Sequence, residues 1–273
     1  MMKKKGLTAL ALGLGLCFAS NLGWAGKVVI KGSTTVLPIA QKVAEAYMKE
    51  HPDVKISISG GGSGNGIKAL IDGSTHIADS SRFIKPREVK RAVGKGAYPV
   101  PFAVAYDCIV PVVYPSNPVV NLTLDQLKAI YKGKIKNWKE LGGPDRKIVV
   151  ISRDTSSGTY EVWHKKVMRK DRVYPGALLQ ASSGAIVQVV SKNKNAIGYI
   201  GIGYMDKSVK PLMVNRILGS EETTLNGTYP ISRPLYMFTA GWPKGDTLKF
   251  INFVVHPEKG QKYVRDAGFV PLY

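Results

Sequence analysis

Residues 98–115, "YPVPFAVAYDCIVPVVYP", decide how the chain is to be read. The run is β-rich and apolar, and far longer than an ordinary strand of about five or six residues. A strand of that length can leave one lobe and enter another. A second β-rich run, "RPLYMFTAGW" at 233–242, supplies the return path. Two crossings put both termini in one lobe, insert the other lobe between them, and leave a cleft across which polar loops face each other. Asp107 stands inside the first crossing among apolar neighbours, where a carboxylate needs a reason to be present.

Around the crossings, short β-rich runs alternate with helical ones. "KVVIK" (27–31) precedes "VLPIAQKVAEAYMKE" (36–50), in which Val36, Ala40, Val43, Ala44 and Tyr47 recur at helical spacing. "VKISIS" (54–59), a glycine-rich turn, "IKALIDG" (67–73), "HIAD" (76–79) and a charged helix over 86–94 continue the order. After the first crossing come "TLDQLKAIYKG" (123–133), "KIVVIS" (147–152), a helix after Gly158 and "NAIGYIGIGY" (195–204). Two helical segments, 246–256 and 257–268, close the chain. Strand and helix in repetition imply an α/β fold with mostly parallel sheets. The expected lobes are 26–106 with 235–273 (lobe I) and 107–234 (lobe II).

Lys3, Lys4 and Lys5 precede an apolar run from Leu7 to Ala19 and small residues at Gly23 and Ala25, the pattern of a signal peptide over 1–25. The run falls short of the roughly 20 residues of a spanning helix. Leu16 stands before Cys17, where lipid attachment calls for a small residue, so a lipid anchor there is not expected. Export to the periplasm permits disulfides, but with the signal removed Cys108 is the one cysteine left, and its apolar setting marks a buried residue. Without the three signal lysines the formal charge falls from +20 to +17. Such a chain suits a small anion or an acidic partner. Export and the scatter of the cations argue against nucleic acid, and a monomer is expected.

Three polar loops share one design: "GSTT" (32–35), "GGGSGNG" (60–66) and "TSSGT" (155–159) each follow a strand and open a helix. Unpaired backbone N–H groups, the positive end of the helix dipole and hydroxyl donors together suit an oxyanion. Capping alone accounts for any one of them, but three at the carboxyl ends of strands lie where open α/β sheets bind ligands. Spacing excludes the familiar nucleotide and hydrolase loops. Gly61 and Gly66 are followed by Ile67 and Lys68 instead of Lys and Ser/Thr, Gly62 and Gly64 would need a glycine at Ile67, and G-x-S-x-G fails at Asn65. Arg153, ahead of the third loop, brings a planar fork that meets an oxyanion with two hydrogen bonds. "DSSR" at 79–82 repeats the combination with Ser80, Ser81 and Arg82. His51, His76, His164 and His256 are dispersed, none in a metal-ligand spacing, and no carboxylate pair stands out, so neither catalysis nor a metal or other cofactor is expected.

In chain order, "GSTTVLPIAQKVAEAY", "SGGGSGNGIKALIDG", "IADSSR", "IYKGKIKNWKELGG", "SRDTSSGTYE" and "NAIGYIGIGY" resemble the phosphate-binding proteins of the PstS family, the soluble receptors of phosphate ABC transporters. The resemblance covers nearly all of the mature chain. It implies a two-lobed, type II-like periplasmic binding fold that carries inorganic phosphate to a membrane permease. It also implies a dehydrated phosphate held by Ser33, Thr34 and Thr35, by Ser63 and Gly64, and by Arg153, Ser157, Gly158 and Thr159; Ser81 and Arg82 join them as candidates. Longer members of the family carry, where this chain has Ser81, an aspartate that accepts the proton of phosphate. Asp79 or Asp107 would take that role here, and Asp107 is the expected one. The alternative is a binder of molybdate, tungstate or sulfate, since the same donors serve every tetrahedral oxyanion; a hydrolase using Ser63 or Ser157 is a further rival.

Overall fold

Three βα units begin lobe I in this computed structural model, which describes residues 26–273; the signal-peptide and Cys17 readings lie outside the described residues. β1 (Gly26–Gly32) feeds α1 (Leu37–Glu50), β2 (Val54–Ser59) feeds α2 (Ser63–Ile71), and β3 (Ile77–Ser80) leads to α3 (Pro86–Val93). β4 (Pro99–Val113) follows. Lobe II then runs β5 (Asn121–Leu122), α4 (Leu124–Tyr131), β6 (Val149–Arg153), α5 (Gly158–Lys166), β7 (Leu178–Gln180), α6 (Ser183–Val190), β8 (Ala196–Gly201), β9 (Lys210–Pro211), β10 (Met213–Val214) and α7 (Glu221–Leu225). β11 (Ser232–Ala240), α8 (Gly245–Val255) and α9 (Gly260–Asp266) return to lobe I. The spacing seen in α1 is its packing: Ile39, Ala40, Val43, Ala44 and Tyr47 are buried. Pro38 in its first turn sacrifices no helical hydrogen bond.

The run that opened the sequence is a single strand of 15 residues. Through Cys108, β4 pairs antiparallel with β11; from Ile109 onward it pairs antiparallel with β8. The strand order β2-β1-β3-β11-β4-β8-β6-β7 therefore passes from one lobe to the other along β4. β2, β1 and β3 are parallel, as are β8, β6 and β7. Buried apolar clusters respect the switch: residues from Val28 to Ala105 and from Leu235 to Phe269 form two clusters on one side, and residues from Cys108 to Ile231 form one on the other. Asp107 and Arg233 face each other in register just before the partner of β4 changes.

Lobe II is braced by aromatics directly behind its site-facing edge. Trp163 stacks on Tyr199 with ring centroids 4.2 Å apart, and Tyr131 leans on both. A buried side chain of this kind contributes about 1.5–3 kcal/mol. The rings also fix the end of β6: Tyr131 donates to the Ile151 carbonyl at 3.1 Å, and the Tyr199 hydroxyl accepts from the Arg153 amide at 3.1 Å. Cys108 lies buried at the switch, its thiol pushed up to about 12 by burial, with Asp107 adding to the shift. Among the described residues no helix is long and apolar enough to cross a membrane.

Candidate anion-binding site

The strand-to-helix loops of the two lobes converge on one buried space. Ser33 Oγ accepts from the amides of Thr35 (3.1 Å) and Val36 (3.4 Å), seating the start of α1 on the end of β1. Ser63 opens α2; its Oγ accepts from the Ser81 amide at 3.0 Å and lies 3.3 Å from Ser81 Oγ. Gly62, just before, has φ +97°, and a Cβ there would stand 2.5 Å from Ser156 Oγ of the other lobe, so the turn needs glycine. Ser157 caps α5 by accepting from the Tyr160 amide at 3.2 Å. Gly158 and Thr159 then begin the helix, where the first amides have no intrahelical partner. A Cβ on Gly158 would lie 2.4 Å from Ser63 Oγ and 2.6 Å from Ser81 Oγ, so this helix start sits against the hydroxyls of lobe I. Thr35 Oγ1 and Thr159 Oγ1 meet across the cleft at 2.9 Å. The Gly64 amide, a candidate donor, gives its hydrogen bond to the Ser156 carbonyl at 2.9 Å and so ties the lobes together.

Arg153 ends β6 and is only 1% exposed. Its Nε donates to the Gln180 carbonyl (3.0 Å), Nη2 to the Ala181 carbonyl (3.0 Å) and Nη1 to Ser183 Oγ (3.2 Å). These bonds engage three of the five N–H groups a guanidinium carries. Burial draws its pKa down, and the nearest carboxylate oxygen, from Asp154, is 4.0 Å away. A buried cation held by neutral acceptors carries charge that an anion would neutralise. Ser183 opens α6, and its amide reaches Thr34 Oγ1 across the cleft at 3.4 Å, while the Tyr204 hydroxyl donates to the Thr34 carbonyl. "ASSGA" at 181–185 is thus a fourth loop of the same design. The candidates named from sequence omit it, although its Ser-Ser-Gly repeats that of 156–158.

The charged candidates separate by partner. Asp107 is fully buried: Oδ1 accepts from the Ile202 amide at 2.9 Å, and Oδ2 accepts from Arg233 Nε at 2.9 Å and Nη2 at 2.7 Å. Burial pushes this carboxyl up and the Arg233 guanidinium pulls it back. Arg233, not singled out in the sequence, also donates to the Ser81 carbonyl and to Thr159 Oγ1, both at 3.0 Å. Arg82 commits its fork to Glu88, with bonds of 2.8 and 2.7 Å, and Glu88 accepts the Lys85 amide at the start of α3. The buried Nε of Arg82 has no hydrogen-bond partner among the described residues, and a Cβ on Gly64 would lie 3.8 Å from its Nη2, so the guanidinium borders the second loop.

Asp79 is buried, and its Oδ1 has no hydrogen-bond partner among the described residues. Burial raises its carboxyl well above the ordinary range, because desolvation penalises the charged form. A raised folded pKa gives stability that is fully present below the unfolded value, near 3.9, and is lost as pH rises toward the folded value. Asp79→Asn, which mimics the neutral acid, should therefore match the parent in urea melts below about pH 4 and exceed it above, the gap opening by up to about 1.4 kcal/mol per pH unit. A parent as stable as the variant at pH 7 would contradict this.

On one side of the cleft Lys85 of lobe I pairs with Glu161 of lobe II. A groove of about 840 Å³ opens beside that pair, with Arg82, Arg87, Lys165, Lys166 and Arg233 on its walls. Positive charge at the edge of the cleft raises the local concentration of anions. Among the described residues no group of His, Cys, Asp and Glu is placed to hold a metal ion.

A family model described as a PBP superfamily domain matches residues 22–258. The chain is 36% identical over 254 residues to the phosphate-binding protein PstS of Staphylococcus epidermidis, covering 88% of this chain and 77% of that one. It is 31% identical over 253 residues to the phosphate-binding protein PstS of Bacillus subtilis, covering 91% and 81%. A Clostridium perfringens protein crystallised with bound phosphate matches the structure with a TM-score of 0.85 at 37% identity, over 91% of this chain and 100% of that one. An ABC-type phosphate transport receptor from Vibrio cholerae matches with a TM-score of 0.73 at 34% identity, over 89% and 99%.

Proposed function

The chain belongs to the PBP superfamily and, within it, to the PstS phosphate-binding proteins; from that premise we propose that it captures inorganic phosphate between its lobes and delivers it to the membrane permease of an ABC transporter. One observation carries the reading: Arg153 is buried, bonded only to neutral acceptors, and belongs to the cluster of loops where hydroxyls of both lobes meet. Ser33, Thr34, Thr35, Ser63, Ser81, Ser157 and Thr159 supply hydroxyls, Gly158 and Thr159 supply amides at the helix start, and Arg153 supplies the charge. Lobe I is 26–106 with 235–273 and lobe II is 107–234. Residues 1–25 direct export to the periplasm, where the protein acts as a monomer without a nucleic-acid partner.

Phosphate enters the open cleft, and each lobe presents donors that the other completes. Closing brings Thr35 to Thr159, Gly64 to Ser156 and Lys85 to Glu161, so the energy of binding stabilises the closed arrangement. Hydrogen bonds to a charged group contribute about 1.5–3 kcal/mol each, enough for a few of them to bias a hinge. No bond of the phosphate is made or broken. In support, the polar neighbours of Ser63 Oγ are the amide and hydroxyl of Ser81, and Ser157 Oγ caps its helix; neither arrangement supplies a base. Another tetrahedral oxyanion is the less favoured ligand, since the relatives are named for phosphate.

Thermal unfolding tests the proposal. Phosphate at a hundred times its dissociation constant should stabilise the fold by about 2.7 kcal/mol, which for a chain of this size raises the melting temperature by roughly 5–10 °C. Sulfate at equal ionic strength should give a much smaller shift. Equal shifts for sulfate and phosphate would defeat the phosphate assignment.

A further inference from the structure

We infer that Arg233 is a positioning residue of the anion site, tying donors of both lobes to the crossing strands, and that Asp107 is its counter-ion and not the acceptor of the anion's proton. The inference rests on the phosphate reading and adds to it a part of the site that no loop motif announces.

Arg233 lies on β11 and Asp107 on β4, directly opposite each other in the register of the two crossings. Two residues further on, at Ile109, β4 has changed partner from β11 to β8, so the pair sits where the lobes join. From that place Arg233 reaches both lobes: Nη1 donates to the Ser81 carbonyl of lobe I, and Nη2 donates to Thr159 Oγ1 of lobe II. With Nε and Nη2 both on Asp107 Oδ2, four of its five N–H groups are engaged. This is the pattern of a brace, fixed at one end by a carboxylate and holding two loops at the other.

The bond to Thr159 has a chemical consequence. A hydroxyl carries one proton and two lone pairs. When Thr159 Oγ1 accepts from the guanidinium, its own proton must point elsewhere, toward Thr35 Oγ1 at 2.9 Å or toward an anion. Arg233 thereby occupies one lone pair of Thr159 Oγ1 and turns its proton away from the crossing, and it does so only while lobe II lies against the crossing. The carbonyl bond to Ser81 fixes that loop where its amide meets Ser63 Oγ, so donors of both lobes are aligned together.

Asp107 is occupied in the same geometry. Oδ2 accepts twice from Arg233 and Oδ1 accepts from the Ile202 amide. Space around it is closed as well: a Cβ on Gly201 would lie 2.9 Å from each carboxylate oxygen and 2.9 Å from the Thr35 methyl. A carboxylate so enclosed neutralises the guanidinium beside it.

Binding calorimetry on three variants and one double variant tests this. Arg233→Lys, which keeps the charge but not the fork, should weaken phosphate binding by at least about tenfold. Thr159→Val should cost a similar factor alone but less than about threefold more when added to Arg233→Lys, because both changes remove the same oriented donor. Asp107→Asn should alter phosphate and sulfate affinities by the same factor. Losses that multiply in the double variant would overturn the positioning role, and a gain for sulfate over phosphate of about tenfold in Asp107→Asn would overturn the counter-ion role. Should Arg233→Lys not fold, Arg233→Gln takes its place in the same cycle with Thr159→Val. Failure of the parent protein to bind phosphate would sink the phosphate reading itself, a result distinct from any of these.

Discussion

Gly158→Ala should leave both lobes folded and abolish tight phosphate binding, with a loss of at least about a hundredfold, or about 2.7 kcal/mol. The added methyl would stand 2.4 Å from Ser63 Oγ, 2.6 Å from Ser81 Oγ and 3.1 Å from Ser63 Cβ, all atoms of the opposite lobe. Neither lobe needs to change internally to accommodate it, because the clash exists only when the lobes meet. Gly158 is the first residue of α5 and does not have a positive φ, so alanine suits its backbone, and alanine is the better helix former by up to about 1 kcal/mol. The ligand-free melting temperature should therefore hold or rise while affinity collapses. A variant that binds within about threefold of the parent would show that the lobes do not close on the ligand at this point.

Arg153→Lys is the second large effect. The guanidinium holds the Gln180 and Ala181 carbonyls and Ser183 Oγ in a fixed fork, and a lysine ammonium cannot reach three acceptors so arranged. Leaving one buried acceptor unsatisfied costs about 1–3 kcal/mol, so a drop of that size in stability is expected. Phosphate affinity should fall by about a hundredfold or more, since the charge is displaced and the loop that brings Ser183 to Thr34 loses its anchor. Calorimetry together with denaturant melts separates the two losses. Stability that falls while affinity stays within about threefold would make Arg153 a structural brace only.

What could be read from the sequence and what could not follows from distance along the chain. Periodicity is local, so α1 and its buried face were legible, and so was the crossing at 98–115, because its length alone exceeds what one sheet uses. The loops at 32–35, 60–66 and 155–159 were legible because strand, glycine and hydroxyl residues adjoin. The Asp107–Arg233 pair was not: its members are 126 residues apart, and only the register of two crossing strands sets them opposite. β7 has three residues with two exposed leucines, and α6 reads "SGAIVQVV" with no clear polar face, so neither displays a period. The cation at Arg82 was visible, but its pairing with Glu88 six residues on depends on the turn into α3. The raised carboxyl of Asp79 follows from burial of an oxygen without a partner, which no residue adjoining it in the sequence reveals.

The central claim is that loops of two lobes enclose phosphate and hold it unchanged. Titration calorimetry of the parent protein with phosphate, repeated in excess sulfate near neutral pH, tests it most directly. The expected result is one phosphate per chain, an affinity that sulfate barely reduces, and free phosphate recovered intact on unfolding. Sulfate displacing phosphate at comparable concentration, or no binding of phosphate at all, would contradict it.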